Sequence, residues 1–376
     1  MGWISFFTDV SSEMIFPLLP TFLTTVLMAG PAALGWIEGL SETSSSIFKL
    51  IAGKWSDRLG KRRFFVWWGY GLSSLMRSLI GLSPNWLVVL GLRFGDRVGK
   101  GLRTAPRDSL IALSVPENQR GHAFGYHRMM DHSGAVVGSL IGAGLLFLLP
   151  GQFRLIFLLA AVPALIACLL LKHVDEVSPS EQISDTTKNL PKEPLPIKIK
   201  LFLVALFVFN LGNATDAFLL LRLQTDGLPA TAIPLLWAAF HIIKAGSNSL
   251  LGHLSDKVDR RFFVFGGWLL YAIVYLLFSR DLSQAQMIFI FLVYGVFFGL
   301  TEGPEKALVS TWTNRNQLGN IFGSYHFIMG ISLLPASLIF GYLWQWGGFS
   351  LAFTVAGGIT LLATIMLGVL FLRQIR

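Results

Sequence analysis

The sequence predicts an all-α membrane protein with twelve transmembrane helices arranged as two six-helix bundles. Its 376 residues are 53% hydrophobic and only 14% charged, whereas soluble domains carry about 25% charged residues. A water-soluble globule of this composition would lack the polar surface to cover itself. The same composition excludes an intrinsically disordered chain, and a single cysteine, Cys168, excludes a disulfide scaffold.

Apolar stretches recur along the whole chain, each near the roughly 20 residues needed to cross a hydrocarbon core of about 30 Å. The proposed spans lie at 3–28, 32–55, 64–83, 85–112, 122–148, 153–172, 200–221, 230–254, 262–279, 284–310, 320–345 and 349–372. Most connections are short, as packed antiparallel helices allow. The segment 173–199 is longer and contains four prolines among polar residues, which is typical of a linker. We therefore predict an N-terminal bundle at 1–172, a linker at 173–199 and a C-terminal bundle at 200–376.

The net charge of +9 resides mainly in the connections. Seventeen Lys and Arg residues flank the connections of one side, including the linker, and only Arg154, Arg222 and Arg280 lie on the other. The positive-inside rule then predicts that the linker and both termini are cytoplasmic. We expect a multi-pass protein of the bacterial inner (plasma) membrane that is surrounded by the lipid bilayer and binds no nucleic acid.

The two halves repeat one another. Residues 53–65 read GKWSDRLGKRRFF, and residues 252–263 read GHLSDKVDRRFF. A second match, in the same register, relates residues 105–125 to residues 303–323. Two such matches indicate a six-helix unit used twice in the same orientation, which is an arrangement of secondary transporters.

The segment at 53–63 resembles the signature loop between helices 2 and 3 of the major facilitator superfamily. Its copy at 252–261 resembles the second-half version of that loop, with Asp259 where glycine is usual. The resemblance covers the whole chain and implies two bundles that rock around a midplane site. It also implies that the loops form a conformational lock, although a basic loop that only fixes orientation is the alternative. The lock candidates are Gly53, Asp57, Arg58, Gly60, Arg62, Asp256 and Arg260.

The fourth span carries a stripe of seven charged residues, five of them basic, within an arc of about 140°. Because each charge at the bilayer centre costs about 2.5–3.5 kcal/mol, the stripe must face a watery cavity or paired partners. It predicts an anionic or zwitterionic substrate, or else a large buried ion-pair network. The resemblance implies a central cavity lined by helices 1, 4, 7 and 10. The substrate-cavity candidates of the chain are Arg93, Asp96, Arg97, Lys100, Arg128, Asn210, Asn213, Lys244 and Glu302.

The first span carries two carboxylates, Asp9 and Glu13, one turn apart and followed by Pro17 and Pro20. The prolines should kink the helix. Mutual repulsion and loss of water favour the protonated form of at least one carboxylate, which suits proton exchange. An ion pair between Asp9 and an arginine of the fourth or fifth helix is the alternative.

The fifth span carries His127, Arg128, Asp131 and His132 at helical spacing, which suits a proton relay. An ion pair between Arg128 and Asp131 is the alternative. We expect no metal site, because one helix rarely completes such a site and Arg128 would repel a cation. The proton-coupling candidates of the chain are Asp9, Glu13, His127, Asp131 and Asp216.

The stretch that begins at Gly134 and Gly138 resembles the helix 5 signature of proton-coupled exporters. It departs from that signature at Ser139, which replaces proline, and at Ala143, which replaces the last glycine. Close packing of small residues accounts for the same stretch without any role in transport.

These observations predict a monomeric secondary transporter rather than an enzyme. The phosphate-binding pattern G-x-x-x-x-G-K-[ST] does not occur in the sequence. We therefore expect no cofactor, with the proton gradient as the energy source and protons and a small molecule as partners. Export of an amphipathic or anionic compound is the first expectation, and proton-linked uptake of an organic anion or metal chelate is the second. A non-transporting membrane sensor and an intramembrane enzyme built on the helix 5 histidines are the alternatives of other classes.

Overall fold

The computed structural model describes residues 1–115, 120–176, 196–255, 257–312 and 318–372. Within these ranges the side chains at 54, 57, 112, 120–125, 310 and 318–323 lie outside the description. Every regular element of the described residues is helical. The predicted all-α membrane fold is therefore confirmed.

In the described part of the N-terminal half we number six helices. They are α1 (Gly2–Glu13, continued by helical turns at Phe16–Leu18, Leu19–Thr21 and Phe22–Val26), α2 (Pro31–Leu59), α3 (Arg62–Leu79), α4 (Trp86–Leu113), α5 (Arg120–Leu148) and α6 (Phe153–Leu159 and Ala161–Leu170). Pro17 and Pro20 each lie in the first turn of a short segment of α1, so the prolines divide this helix as expected.

The C-terminal half follows the same plan. Its helices are α7 (Ile197–Gly212 and Ala217–Thr225), α8 (Ala232–Leu254), α9 (Arg260–Phe278), α10 (Gln284–Thr311), and α11 and α12, which together span Leu318–Leu372. The boundary between α11 and α12 is Gly348, whose φ of 80° is a conformation that glycine adopts without strain.

Six helical stretches of the described chain are long and apolar enough to cross a membrane, and the last of them contains both α11 and α12. The count of twelve spans stays a prediction, because charged and polar side chains on helices such as α2 and α4 lower their hydropathy. The linker at 173–199 also stays a prediction, since residues 177–195 lie outside the described ranges.

The two halves meet along two pairs of helices, α2 with α11 and α5 with α8. Within the halves, α4 packs on α2 and α3, α5 on α1, and α12 on α7 and α9. The interior between the two seams is therefore bordered by helices from both halves, and the candidate site lies there.

The contact between α1 and α5 depends on small residues. A Cβ atom on Gly138 would lie 2.4 Å from the carbonyl oxygen of Val10, and one on Gly134 would lie 2.4 Å from that of Phe6. The backbones of the two helices touch here, so packing accounts for the stretch that resembles the exporter signature.

We expect Gly138→Ala to destabilise the protein by about 1–3 kcal/mol, because the new methyl group forces α5 away from α1. The measurement is the Tm of purified protein in detergent, followed by tryptophan fluorescence. Gly144→Ala is the matched control on the same helix, since a Cβ atom there meets nothing within 4 Å. Equal Tm values for the two variants would contradict the packing argument.

Candidate functional site

A buried network of ion pairs joins α2, α3 and α4. The guanidinium of Arg93 binds Glu38 Oε1 through Nε (3.1 Å) and Nη2 (2.6 Å), and its Nη1 lies 3.5 Å from Asp96 Oδ2. Arg77 Nη2 lies 2.9 Å from Asp96 Oδ1, which also accepts a hydrogen bond from the Ser73 hydroxyl. These four charged side chains are at most 2% exposed. Each buried charge thus has a partner of opposite sign, as burial requires.

This network extends to the first helix, because Arg77 Nη1 donates to the carbonyl oxygen of Thr8 at 2.8 Å. The prediction that Arg93 and Asp96 border the substrate cavity is therefore wrong. Both side chains are enclosed between helices, and their charges are matched inside the N-terminal half. Of the two outcomes predicted for the stripe on α4, the buried ion-pair network describes this part of it.

The central cavity lies between the two halves and has a volume of about 410 Å³. Its polar wall comes from both halves and includes Asp9, Glu13, Glu42, Arg97, Lys100, Asn213, Asp216 and Lys244. Its aromatic wall consists of Phe16, Trp237, Tyr294, Phe297 and Phe298. Helices α1, α4, α7 and α10 all contribute, as the resemblance implies, and α2, α8 and α11 contribute as well.

A second compartment of about 360 Å³ continues from the first. The two share a set of residues that we call the waist: Asp9, Glu13, Lys100, His241 and Lys244. Beyond the waist the lining includes Lys49, Arg107, Asp108, Arg128, Asp131 and His132. Arg128 and Asp108 are 73% and 44% exposed, so this compartment forms the mouth of the cavity.

The opposite end of the cavity is closed by hydrogen bonds between the halves. Thr21 Oγ1 donates to Gln224 Oε1 at 3.0 Å, and Trp36 Nε1 donates to the Tyr342 hydroxyl at 3.1 Å. These residues lie at the ends of α1, α7, α2 and α11 that are remote from the α2–α3 connection. Among the described residues, the mouth of the cavity therefore lies toward the end that carries the basic loop at 58–63.

Three acidic candidates line the cavity in different settings. Glu13 accepts a hydrogen bond from Trp237 Nε1 across the two halves at 2.8 Å. Asp216 lies at the break in α7 and accepts from the Tyr294 hydroxyl at 2.7 Å. Asp9 has no ion-pair partner among the described residues, so the alternative pairing of Asp9 with an arginine is not observed.

The remaining candidates on α5 and at the mouth form local contacts. His127 Nδ1 lies 3.5 Å from Asp131 Oδ2, and Arg128 Nη1 lies 4.0 Å from the same carboxylate. Lys244 Nζ lies 3.4 Å from Glu302 Oε1. Glu302 is half-exposed and lies outside both compartments.

Asn210 is also outside the cavity, and its prediction is wrong. Its side chain is 2% exposed and donates to the carbonyl oxygen of Leu206 on its own helix. On a continuous helix, Asn210 and Asn213 would lie close together on one face. Because the helix is interrupted after Gly212, Asn213 lines the cavity and Asn210 does not.

Comparison with known proteins identifies the family. The family model of the Major Facilitator Superfamily matches residues 1–243 and 201–376. The chain belongs to the major facilitator superfamily. It is 36% identical over 351 residues to an uncharacterised MFS-type transporter of Methanocaldococcus jannaschii, a match that covers 92% of this chain and 87% of that protein.

One partial relative and one solved structure show further likeness to this MFS protein. The multidrug resistance protein MdtG of Serratia proteamaculans is 32% identical over 177 residues, which is 46% of this chain and 42% of MdtG. The crystal structure of a point mutant of the nucleoside transporter NupG superposes with a TM-score of 0.82 at 10% identity, and the match covers 98% of both chains. The likeness to NupG concerns the fold.

The signature loop of this MFS protein is fixed at both ends. Gly60 ends α2 with a left-handed φ of 63°, and Gly53 packs against Ala105 of α4. The carboxylate of Glu176, which follows α6, accepts hydrogen bonds from the backbone N–H groups of Arg62 (3.0 Å) and Arg63 (2.8 Å). Sequence analysis did not predict the role of Glu176. A carboxylate that caps a helix distant in sequence, here α3, produces no local sequence pattern.

The other lock candidates are placed less fully. Arg58 is exposed, and Arg260 begins α9. The side chain of Asp57 and the whole of Asp256 lie outside the described residues, so the lock stays a prediction. Asp259, where the copy departs from the family pattern, caps α9 by accepting from the backbone N–H of Arg261 at 2.9 Å. Hydrogen bonds from Arg261 hold the pKa of Asp259 below its ordinary value.

We expect Arg93→Met to cost about 3–5 kcal/mol of stability, because Glu38 then remains buried without its cation. Replacing both partners, in Arg93→Met combined with Glu38→Leu, should recover much of that loss. The measurement is the Tm of each variant in detergent, with Arg58→Met as the control at an exposed arginine. If the losses of the two single variants simply add in the double variant, the pairing is unimportant for stability.

Proposed function

We propose that this chain is a monomeric secondary active transporter that exports a small amphipathic or anionic compound in exchange for protons. The observation that carries the proposal is the polar cavity between the two halves, which is closed at one end by contacts between the halves and open at the other. A rocking motion that breaks the Thr21–Gln224 and Trp36–Tyr342 contacts would expose the same residues to the other side, which is alternating access.

Proton coupling is supported by the carboxylates at the waist. Asp9 has no cationic partner among the described residues, and Glu13 is held by a neutral indole N–H donor. A carboxylate in such a setting can bind and release a proton as the cavity changes sides, with no ion pair to break first. Asp216, Asp131 and His127 are further candidates: Asp216 lies at the break in α7, Asp131 lines the mouth, and His127 is buried beside Asp131.

Direction and orientation rest on two observations. The cavity opens at the end with the basic loops, which the positive-inside rule assigns to the cytoplasm of the bacterial inner membrane. A cavity open to the cytoplasm is suited to binding a compound there. The partial similarity to MdtG, a protein named for multidrug resistance, favours export over uptake.

We expect Asp9→Asn to reduce proton-coupled transport at least about tenfold, because an amide cannot carry the proton, while the protein remains folded. The measurement uses inverted membrane vesicles energised by respiration, in which a fluorescent dye reports proton release when amphipathic compounds are added. Asp281→Asn is the control, since Asp281 is 97% exposed and remote from the cavity.

Two results would reject the proposal. One is proton release by Asp9→Asn at the rate of the unmodified protein, which would exclude Asp9 from coupling. The other is that none of the amphipathic compounds tested causes proton release from vesicles that contain the folded, unmodified protein.

A further inference from the structure

We propose that the transported molecule is dipolar: an amphipathic zwitterion whose cationic group binds beside Asp9 and whose anionic group binds beside Lys100. This inference rests on the proposed transport function. It selects one chemical class, a molecule with a fixed positive and a fixed negative group on an aromatic or apolar body.

Most charges around the cavity already have a partner of opposite sign. Arg97 Nε lies 2.9 Å from Glu42 Oε1, and Glu38 is bound by Arg93. Arg107 and Asp108 pair at 2.9 Å, and Lys244 pairs with Glu302. These side chains contribute polarity to the wall, but a charged ligand would have to compete with existing ion pairs to bind them.

Asp9 and Lys100, at the waist, differ from these paired residues. Asp9 on α1 and Lys100 on α4 line both compartments, and neither has an ion-pair partner in the described parts of the chain. They belong to helices of the same half and face the same space. A site that offers unpaired charges of both signs fits a ligand that carries both signs, because a monovalent ion would satisfy one sign and oppose the other.

The charged residues around the waist indicate how the ligand is oriented in the cavity. Glu13 belongs to the waist and Asp216 lies on its closed side, and their carboxylates are bound only by the neutral donors Trp237 and Tyr294. On the mouth side lies Lys49, which also lacks an ion-pair partner among the described residues. The potential therefore runs from acidic at depth to basic at the mouth, and the cationic group should point inward.

The aromatic wall lies on the same inner side as the acidic residues. Phe16 and Trp237 have ring centroids 5.2 Å apart, and the rings of Phe297 and Phe298 border the same compartment. Aromatic faces attract cations as well as apolar groups. We therefore expect the ligand to have an aromatic body next to its cationic group. The aromatic body then contacts the aromatic wall, and the anionic group lies toward Lys100 and Lys49.

The test is equilibrium binding to the purified full chain in lipid nanodiscs without a proton gradient. The probes are three skeletons (phenyl, indolyl and dodecyl), each in a zwitterionic, a cationic and an anionic form of matched length. We expect the zwitterion to bind at least about tenfold tighter than either monovalent form of the same skeleton. Equal or tighter binding of a cation or an anion, or no binding of any zwitterion at millimolar concentration, would overturn the inference.

Two variants test which residue binds the cationic group of the ligand and which binds the anionic group. Asp9→Asn should erase the preference for the zwitterion over the anionic probe, and Lys100→Gln should erase the preference over the cationic probe. Asp281→Asn and Lys200→Gln are controls with the same charge changes at exposed positions outside the cavity. A loss of binding that does not depend on the charge of the probe would also count against the inference.

The binding test and the vesicle test fail separately. If only monovalent ions cause proton release from the vesicles, the proposal of a dipolar substrate is rejected and the proposed transport function is supported. If zwitterions bind with the expected variant pattern but cause no proton release, the binding site is supported and the proposed transport function is rejected.

Discussion

The ion pairs among Arg77, Arg93, Asp96 and Glu38 hold the N-terminal half together and determine what remains for the cavity. They connect α2, α3 and α4, and Arg77 adds a hydrogen bond to the backbone of α1. Because unpaired charges are costly in a membrane, these side chains must stay together while the helices move. We infer that helices α1–α4 move as one body, with the cavity wall fixed on it.

The C-terminal half is held by different chemistry. Its buried acidic residue Glu305 accepts hydrogen bonds from Trp268 Nε1 (2.6 Å) and the Tyr325 hydroxyl (2.7 Å), which are neutral donors. Tyr271 and Tyr275 stack at 4.3 Å beside the break in α7. The corresponding interiors of the two repeats therefore differ: ion pairs surround Asp96 in the N-terminal half, and neutral donors surround Glu305 in the C-terminal half. The cavity between the two halves is lined by charged side chains of α1 and α4 and by aromatic rings of α8 and α10.

The sequence was sufficient for the fold and for part of the site. Apolar length, the repeat and the signature loop predicted the family. Of the predicted candidates, Asp9, Glu13, Lys100, Asp216 and Lys244 line the central cavity, whereas Arg93 and Asp96 do not. Periodicity tells which face of a helix carries charge, but it does not tell whether water or another helix covers that face.

Partners on other helices were equally invisible. Arg77 is the only charged residue at 64–79 in α3, and the sequence around Glu38 does not show whether its carboxylate is solvated or buried. The aromatic wall of Tyr294, Phe297 and Phe298 also escaped notice, because in a chain with 31 phenylalanines these rings have the same pattern as lipid-facing ones.

The central claim is that charged groups in this protein either border water or are paired away from it. Thiol labelling tests it most directly, after Cys168 is replaced by alanine. A cysteine at Asn213 lies in the cavity, whereas a cysteine at Ser73 lies within the ion-pair network, where Ser73 is 0% exposed. A water-soluble, membrane-impermeant thiosulfonate should modify Asn213→Cys and leave Ser73→Cys unmodified in the folded protein. Equal modification of both positions, or none at Asn213→Cys from either side of the membrane, would contradict the account.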